Sequence, residues 1–131
     1  MATLPSRRIS ITINVSSSKV YSFASNPLNL PKWASGLSGS IKKVKGKWVA
    51  DSPMGKFTIT FAPKNQFGIL DHLVDFKGKT FQNPMRVIPN KDGCDVMFTL
   101  FRHPGTSDKA YRDDAKTIEK DLMALKRLME R

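Results

Sequence analysis

From Arg8 to Asn14 apolar and polar residues alternate strictly, with Ile9, Ile11 and Ile13 on one side and Ser10, Thr12 and Asn14 on the other. A period of two predicts a strand with one face in a core. The period then lengthens. Ser16 and Ser17 offer N-caps to a segment in which Val20, Tyr21 and Ala24 share one face, so a short helix is predicted through Ser25. Asn26-Pro27 ends it, and Leu28 to Trp33 reads as a second short turn of helix.

From Ile41 onward the pattern is of strands separated by turns, the first two at Lys45-Gly46 and Ser52-Pro53-Met54-Gly55. Phe57, Ile59 and Phe61 form one apolar face, and Pro63 to Phe67 interrupts that strand. Gly68 opens the next, where Leu70, His72, Val74 and Phe76 alternate with Ile69, Asp71, Leu73 and Asp75. Asp71 and Asp75 belong in water, so parity directs His72 inward. Phe81–Pro89 and Asp95–Arg102 flank Asn90-Lys91-Asp92-Gly93, which suits a type I turn with glycine in the left-handed position. That turn pairs Asn90 with Cys94, Ile88 with Val96 and Arg86 with Phe98, and it places Arg86 on the face of Val96, Phe98 and Leu100. A slip of one residue puts Met85 and Val87 on that face instead.

Ser107 to Arg131 predicts a long amphipathic helix, with Ser107 as N-cap and Asp108 in the first turn. Tyr111, Ile118, Leu122, Leu125 and Met129 make one stripe, and Asp114 falls on its margin. Asp113, Lys116 and Lys120 fall on the wet side, while Met123 and Met129 are expected in the core or as adaptable pocket walls.

Composition narrows the class. With 131 residues, 40% hydrophobic and 25% charged, the chain fits one globular domain spanning 1–131. The net charge is +11, and residues 1–66 carry ten Lys or Arg against Asp51 alone. Lys42, Lys43, Lys45 and Lys47 are the one dense basic group. No arginine-rich helix or helix-turn-helix pattern accompanies them, so a solvated basic face is preferred to a nucleic-acid or acidic-lipid surface. Cys94 is the single cysteine, which excludes an internal disulfide and suits a reducing compartment. With only His72 and His103 besides, no metal-ligand spacing is present and no cofactor is expected. Gly36-Leu37-Ser38-Gly39 lacks the spacing and lysine of a phosphate loop. The first residues lack the apolar core of a secretion signal, and no apolar run reaches a membrane span, so a cytoplasmic protein is expected.

The order is strand, two short helices, about six strands, one long helix. It predicts an α+β fold in which a curved antiparallel sheet of six to seven strands wraps the C-terminal helix. The order and several strings resemble the START/pollen-allergen superfamily of helix-grip proteins (SRPBCC), its polyketide cyclase/dehydrase-like branch above all. The strings are Val20-Tyr21-Ser22-Phe23, Asn26-Pro27, Leu30-Pro31-Lys32-Trp33, Gly68-Ile69-Leu70-Asp71-His72, Pro84-Met85-Arg86-Val87, Phe98-Thr99-Leu100-Phe101-Arg102 and Asp121-Leu122-Met123-Ala124-Leu125-Lys126. The resemblance covers the chain from about Arg7 to its end. It implies a cavity between sheet and long helix for apolar or amphipathic small molecules, and no single activity. The chain has tight turns and little material for a deep lid, which argues against bulky ligands such as sterols.

Three polar side chains are candidates for that interior: His72 by parity, Arg86 by turn geometry and Asp114 by helix phase. A carboxylate at 114 could satisfy Arg86 or His72 and fix the imidazole tautomer, and the cluster could orient a carbonyl or hydroxyl ligand. His72 and Asp114 are also the candidates for proton transfer in a cyclase or dehydratase. Against each stands a plain structural role, namely a hydrogen-bonded core histidine, a helix-margin salt bridge and a solvated strand charge. Trp33 resembles the tryptophan that closes one cavity end in the family, with core packing as the alternative. Phe57, Phe61, Phe98 and Tyr111 line the interior, whether around a ligand or filling the space. Binding of a small hydrophobic or amphipathic molecule is the expected function, with enzyme activity left open. Met97 and Phe101, on the outer face, make a homodimer an alternative to a monomer.

Overall fold

A computed structural model describes residues 2–35 and 40–131; the Gly36–Gly39 segment lies outside the described residues. Strand β1 (Ser6–Ile13) buries Ile9 and Ile13, as its alternation predicts. Helix α1 (Ser17–Ala24) is capped by Ser16, whose hydroxyl accepts the Lys19 N–H, and it buries Val20 and Ala24. A 3-10 helix (Pro27–Lys32) follows, with Asn26 accepting the Leu28 N–H and Pro27 in the first position, where its missing N–H costs nothing.

Seven further strands follow: β2 (Ile41–Val44), β3 (Lys47–Ser52), β4 (Gly55–Phe61), β5 (His72–Phe76), β6 (Lys79–Asn83), β7 (Met85–Asn90) and β8 (Gly93–Phe101). They form two antiparallel sheets, in the orders β1-β8-β7 and β2-β3-β4-β5-β6. The fold is therefore α+β as expected, with eight strands among the described residues divided between two sheets. The long helix α2 (Asp108–Met129) is capped by Ser107, which accepts the Ala110 N–H at 3.0 Å.

The sheets meet at Gly68–Asp71, which precedes β5 and does not open it. Gly68 O accepts the Val87 N–H at 2.8 Å and Met85 O accepts the Leu70 N–H at 2.9 Å, both across to β7. Asp71 O then accepts the Ala62 N–H at 2.9 Å, just beyond β4. Gly68 is required here twice over. Its φ is +72°, and a Cβ would stand 2.2 Å from Val87 O. Asp71 is not left to water. Its carboxylate accepts the Met85 N–H at 2.8 Å and the Arg86 guanidinium at 2.9 Å.

The β7–β8 hairpin departs from the expected register by one residue. Asn90 pairs with Gly93, Val87 with Val96, Arg86 with Met97 and Met85 with Phe98. The turn is the two residues Lys91-Asp92, and the left-handed residue is Lys91, at φ +51°, while Gly93 already lies in β8. Gly93 answers a different constraint: a Cβ there would meet Ile13 O at 2.6 Å, so it lets β1 lie close. The slip turns Met85 and Val87 into the core and Arg86 outward, reversing the predicted face of Arg86.

Helix α2 packs on β1 and β8 through Ala115, Leu122 and Leu125, all buried. Its end is fastened to β1: Lys126 donates to Thr12 O at 2.6 Å, and Glu130 accepts the Asn14 N–H at 2.8 Å. Met123, expected in the core, is exposed, because the helix presents the Leu122 and Leu125 side to the sheet. Met129 is half-buried against the core, and Met97 and Phe101 are half-buried. Lys42, Lys43, Lys45 and Lys47 are all exposed along the β2–β3 hairpin, and among the described residues no helix is long and apolar enough to cross a membrane.

Gly93→Ala should destabilise the protein by about 1–3 kcal/mol, because β1 must retreat from the new methyl group. Chemical denaturation measures it, and a change below about 0.5 kcal/mol would show that β1 yields freely.

Candidate functional site

Because α2 packs on the three-stranded sheet, the inner face of the five-stranded sheet is not closed against it. Residues paired across antiparallel strands share a face. Trp48, Ile59, Val74 and Phe81 therefore make one inward row, and Phe61, His72 and Asn83 the next in that direction. Between this face and α2 lies a cavity of about 230 Å³. Phe57, Ile59 and Val74 wall it on the sheet side, Phe98 on β8, and Ile118 and Leu122 on the helix. Its polar groups are few: His72, Asn83, Thr117 and Asp121. A second hollow, of about 350 Å³, lies between α1, the 3-10 helix and the loop after β4. Leu30, Trp33, Phe61, His72 and Met85 line both hollows and form the wall between them.

His72 is directed inward, as parity predicts. Its Nδ1 lies 3.1 Å from Leu70 O, and Nε2 lies 3.3 Å from the Asn83 side-chain nitrogen. A carbonyl only accepts, so Nδ1 carries the proton and Nε2 takes the Asn83 N–H, which defines a neutral tautomer. The ring stands about 6 Å from those of Phe61 (6.0 Å) and Phe98 (6.2 Å). Burial pushes the His72 pKa below its ordinary value, against the opposing pull of the Leu70 carbonyl and the Asp71 charge.

Trp33, Phe57, Phe61, His72 and Phe98 thus all line the inner cavity. Three other candidates are elsewhere. Arg86 stands on the outer face, paired with Asp71, with its side chain 41% exposed. Asp114 is exposed and lines neither hollow, so it supplies no partner to His72. Its pKa is raised by partial burial and then by Asp113 beside it. Tyr111 lies beyond the cavity, its hydroxyl 3.4 Å from Leu100 O and its ring under the Arg102 guanidinium. The proton-transfer pair of His72 with Asp114 is not assembled.

The carboxylate at the cavity is Asp121. It accepts the Ser35 N–H at 3.0 Å, and burial raises its pKa against the lowering effects of Ser35 and Lys120. Asp121 follows Asp114 by two helical turns and shares its angular position, so helix phase alone could not separate them. Asn83 was legible. The two-residue turn Lys77-Gly78, with both residues at positive φ, fixes Phe76 opposite Lys79 and hence His72 opposite Asn83.

No family model and no curated protein matches the sequence. Solved structures match it in fold. An uncharacterised protein from Bacillus thuringiensis superposes with a TM-score of 0.80 at 16% identity, covering 97% of this chain and all of that one (100%). A START superfamily protein from Mycobacterium smegmatis gives 0.74 at 13% identity, covering 95% and 97%. The protein has the helix-grip fold. The di-domain ARO/CYC protein BexL of the BE-7585A biosynthetic pathway gives 0.77 at 13% identity, this helix-grip chain matching 47% of BexL's length and 97% of its own. At these identities the relation is one of fold, and what the helix-grip cavity holds has to be argued from its own residues.

Because the folded His72 pKa lies below the unfolded value, the unfolded chain binds the additional proton between the two. The stability contributed by the neutral ring is full above about pH 6.5 and is lost as pH falls through that interval. Urea denaturation between about pH 7 and about pH 5 should therefore show a decline in the wild type that His72→Gln lacks. Parallel curves for the two proteins would contradict a buried, neutral His72.

Proposed function

We propose that the protein binds a small hydrophobic or amphipathic molecule in the cavity between the five-stranded sheet and α2. The observation that carries this reading is the composition of the walls. Phe57, Ile59, Val74, Phe98, Ile118 and Leu122 face a hollow into which only a few polar groups project. Such a site gains affinity by removing apolar ligand surface from water, at about 25 cal/mol per Å², and uses its polar groups for orientation. His72 is held in one tautomer by Leu70 and Asn83, so it acts as a fixed element of the wall. The cavity's modest size favours ligands of one to three rings or a short chain over sterols. The ligand-binding role also fits the state of His72, both of whose nitrogens are engaged, and the placement of Asp114 outside both hollows.

N-phenyl-1-naphthylamine, a neutral fluorophore that brightens in apolar surroundings, tests this directly. It should bind saturably with one site per chain. Ile118→Phe, which fills the cavity from the helix side, should weaken it by about tenfold. Val74→Phe, from the opposite wall, should do the same, guarding against a folding defect in either variant. Fluorescence that rises without saturation, or is indifferent to both substitutions, would overturn the proposal.

A further inference from the structure

The outer hollow differs from the inner one in chemistry. It is bounded by Tyr21 and Ser22 of α1 and by Lys64 at its exposed rim. The Tyr21 hydroxyl oxygen accepts the Asn65 N–H at 3.0 Å, which leaves its own proton to be donated. The Ser22 hydroxyl has no partner among the described residues, and Lys64 takes part in none of the ion pairs they form. In the wall between the hollows the Trp33 indole N–H is buried with no acceptor among the described residues.

The acceptors are in the opposite condition. Both Asp71 oxygens are occupied, one by the Met85 N–H and one by Arg86. Both His72 nitrogens are occupied as well, by Leu70 O and Asn83. The Asp71 charge is offset by the Arg86 guanidinium at 2.9 Å, so it does not repel an anion as an isolated carboxylate would. The outer hollow therefore holds several unused donors, one of them cationic, while its carboxylate and its imidazole are already engaged. A bound group that completes this set is rich in acceptors and negatively charged.

We infer that the ligand is an amphipathic anion, with a carboxylate- or sulfonate-class head in the outer hollow and an apolar body reaching into the inner cavity. Lys64, Tyr21 and Ser22 receive the head at the rim. The body passes the shared wall where Phe61 and Met85, with rotatable side chains, stand between the hollows. This inference rests on the cavity-binding reading above and adds the polarity and charge of the ligand.

The test compares N-phenyl-1-naphthylamine with 1-anilinonaphthalene-8-sulfonate, which shares its aromatic body and adds a sulfonate. Both are titrated into wild type, Lys64→Gln, Tyr21→Phe and Lys45→Gln, the last removing one charge from the distant β2–β3 hairpin. Thermal melts confirm that each variant is folded. Lys64→Gln and Tyr21→Phe should each weaken the sulfonate about threefold more than they weaken the neutral compound. Lys45→Gln should move the sulfonate less than Lys64→Gln does. Equal loss in Lys64→Gln and Lys45→Gln would mean that only the overall positive field is felt, and would overturn the inference. Equal loss of both fluorophores in Lys64→Gln would overturn it too, because the lysine would then be shaping the pocket. Failure of the neutral compound to bind the wild type would mark failure of the cavity reading itself, and the charged head falls with it.

Discussion

Four residues, Gly68 to Asp71, hold the two sheets at the angle on which the cavity depends. Their backbone bonds to Met85 and Val87 on one side and to Ala62 on the other, so the chain stays hydrogen-bonded to both sheets as it passes between them. The Asp71 carboxylate closes the junction by taking the Met85 N–H and the Arg86 guanidinium together. With the sheets so joined, α2 packs on β1 and β8 and leaves the inner face of the five-stranded sheet open to the cavity. The cavity is the space left between them, walled by Phe57, Ile59 and Val74 from the sheet and by Ile118 and Leu122 from the helix.

That arrangement explains the division of polar groups. Inside, His72 is engaged at both nitrogens and Asp121 accepts the Ser35 amide, while the Trp33 indole N–H, in the wall shared with the outer hollow, has no acceptor among the described residues. Nearer the rim, where α1 and the loop after β4 approach one another, the hydroxyls of Tyr21 and Ser22 and the Lys64 ammonium keep unused donor capacity. The proposed pocket thus has its imidazole and its carboxylate engaged at the base and unused donors at its mouth.

Much of this was readable from residue order. Strict alternation around His72 fixed its direction, serine caps and apolar spacing located both α-helices, parity turned Phe57, Phe61 and Phe98 toward the interior, and Trp33 was singled out by the resemblance. Arg86 was misplaced because both faces of its hairpin are partly apolar, so hydrophobicity did not fix the register, and Gly93 suggested a turn conformation when its role is close contact with β1. Helix phase pointed to Asp114 and left Asp121 unnoticed, because periodicity gives the side of a helix that faces the core and says nothing of depth along it. Depth is set by where α2 is fastened, through Lys126 and Glu130 to the end of β1, a contact between residues more than a hundred positions apart.

A ligand bound between sheet and helix would lie against the wall that contains Trp33. The chain has two tryptophans, Trp33 in that wall and Trp48 on the inward face but outside both hollows. Two-dimensional nitrogen–proton NMR resolves their indole N–H signals, and a titration with N-phenyl-1-naphthylamine follows both at once. The Trp33 signal should shift and saturate at one equivalent while that of Trp48 stays in place. A Trp33 signal that never moves, or shifts spread over the exposed surface without saturation, would contradict the account.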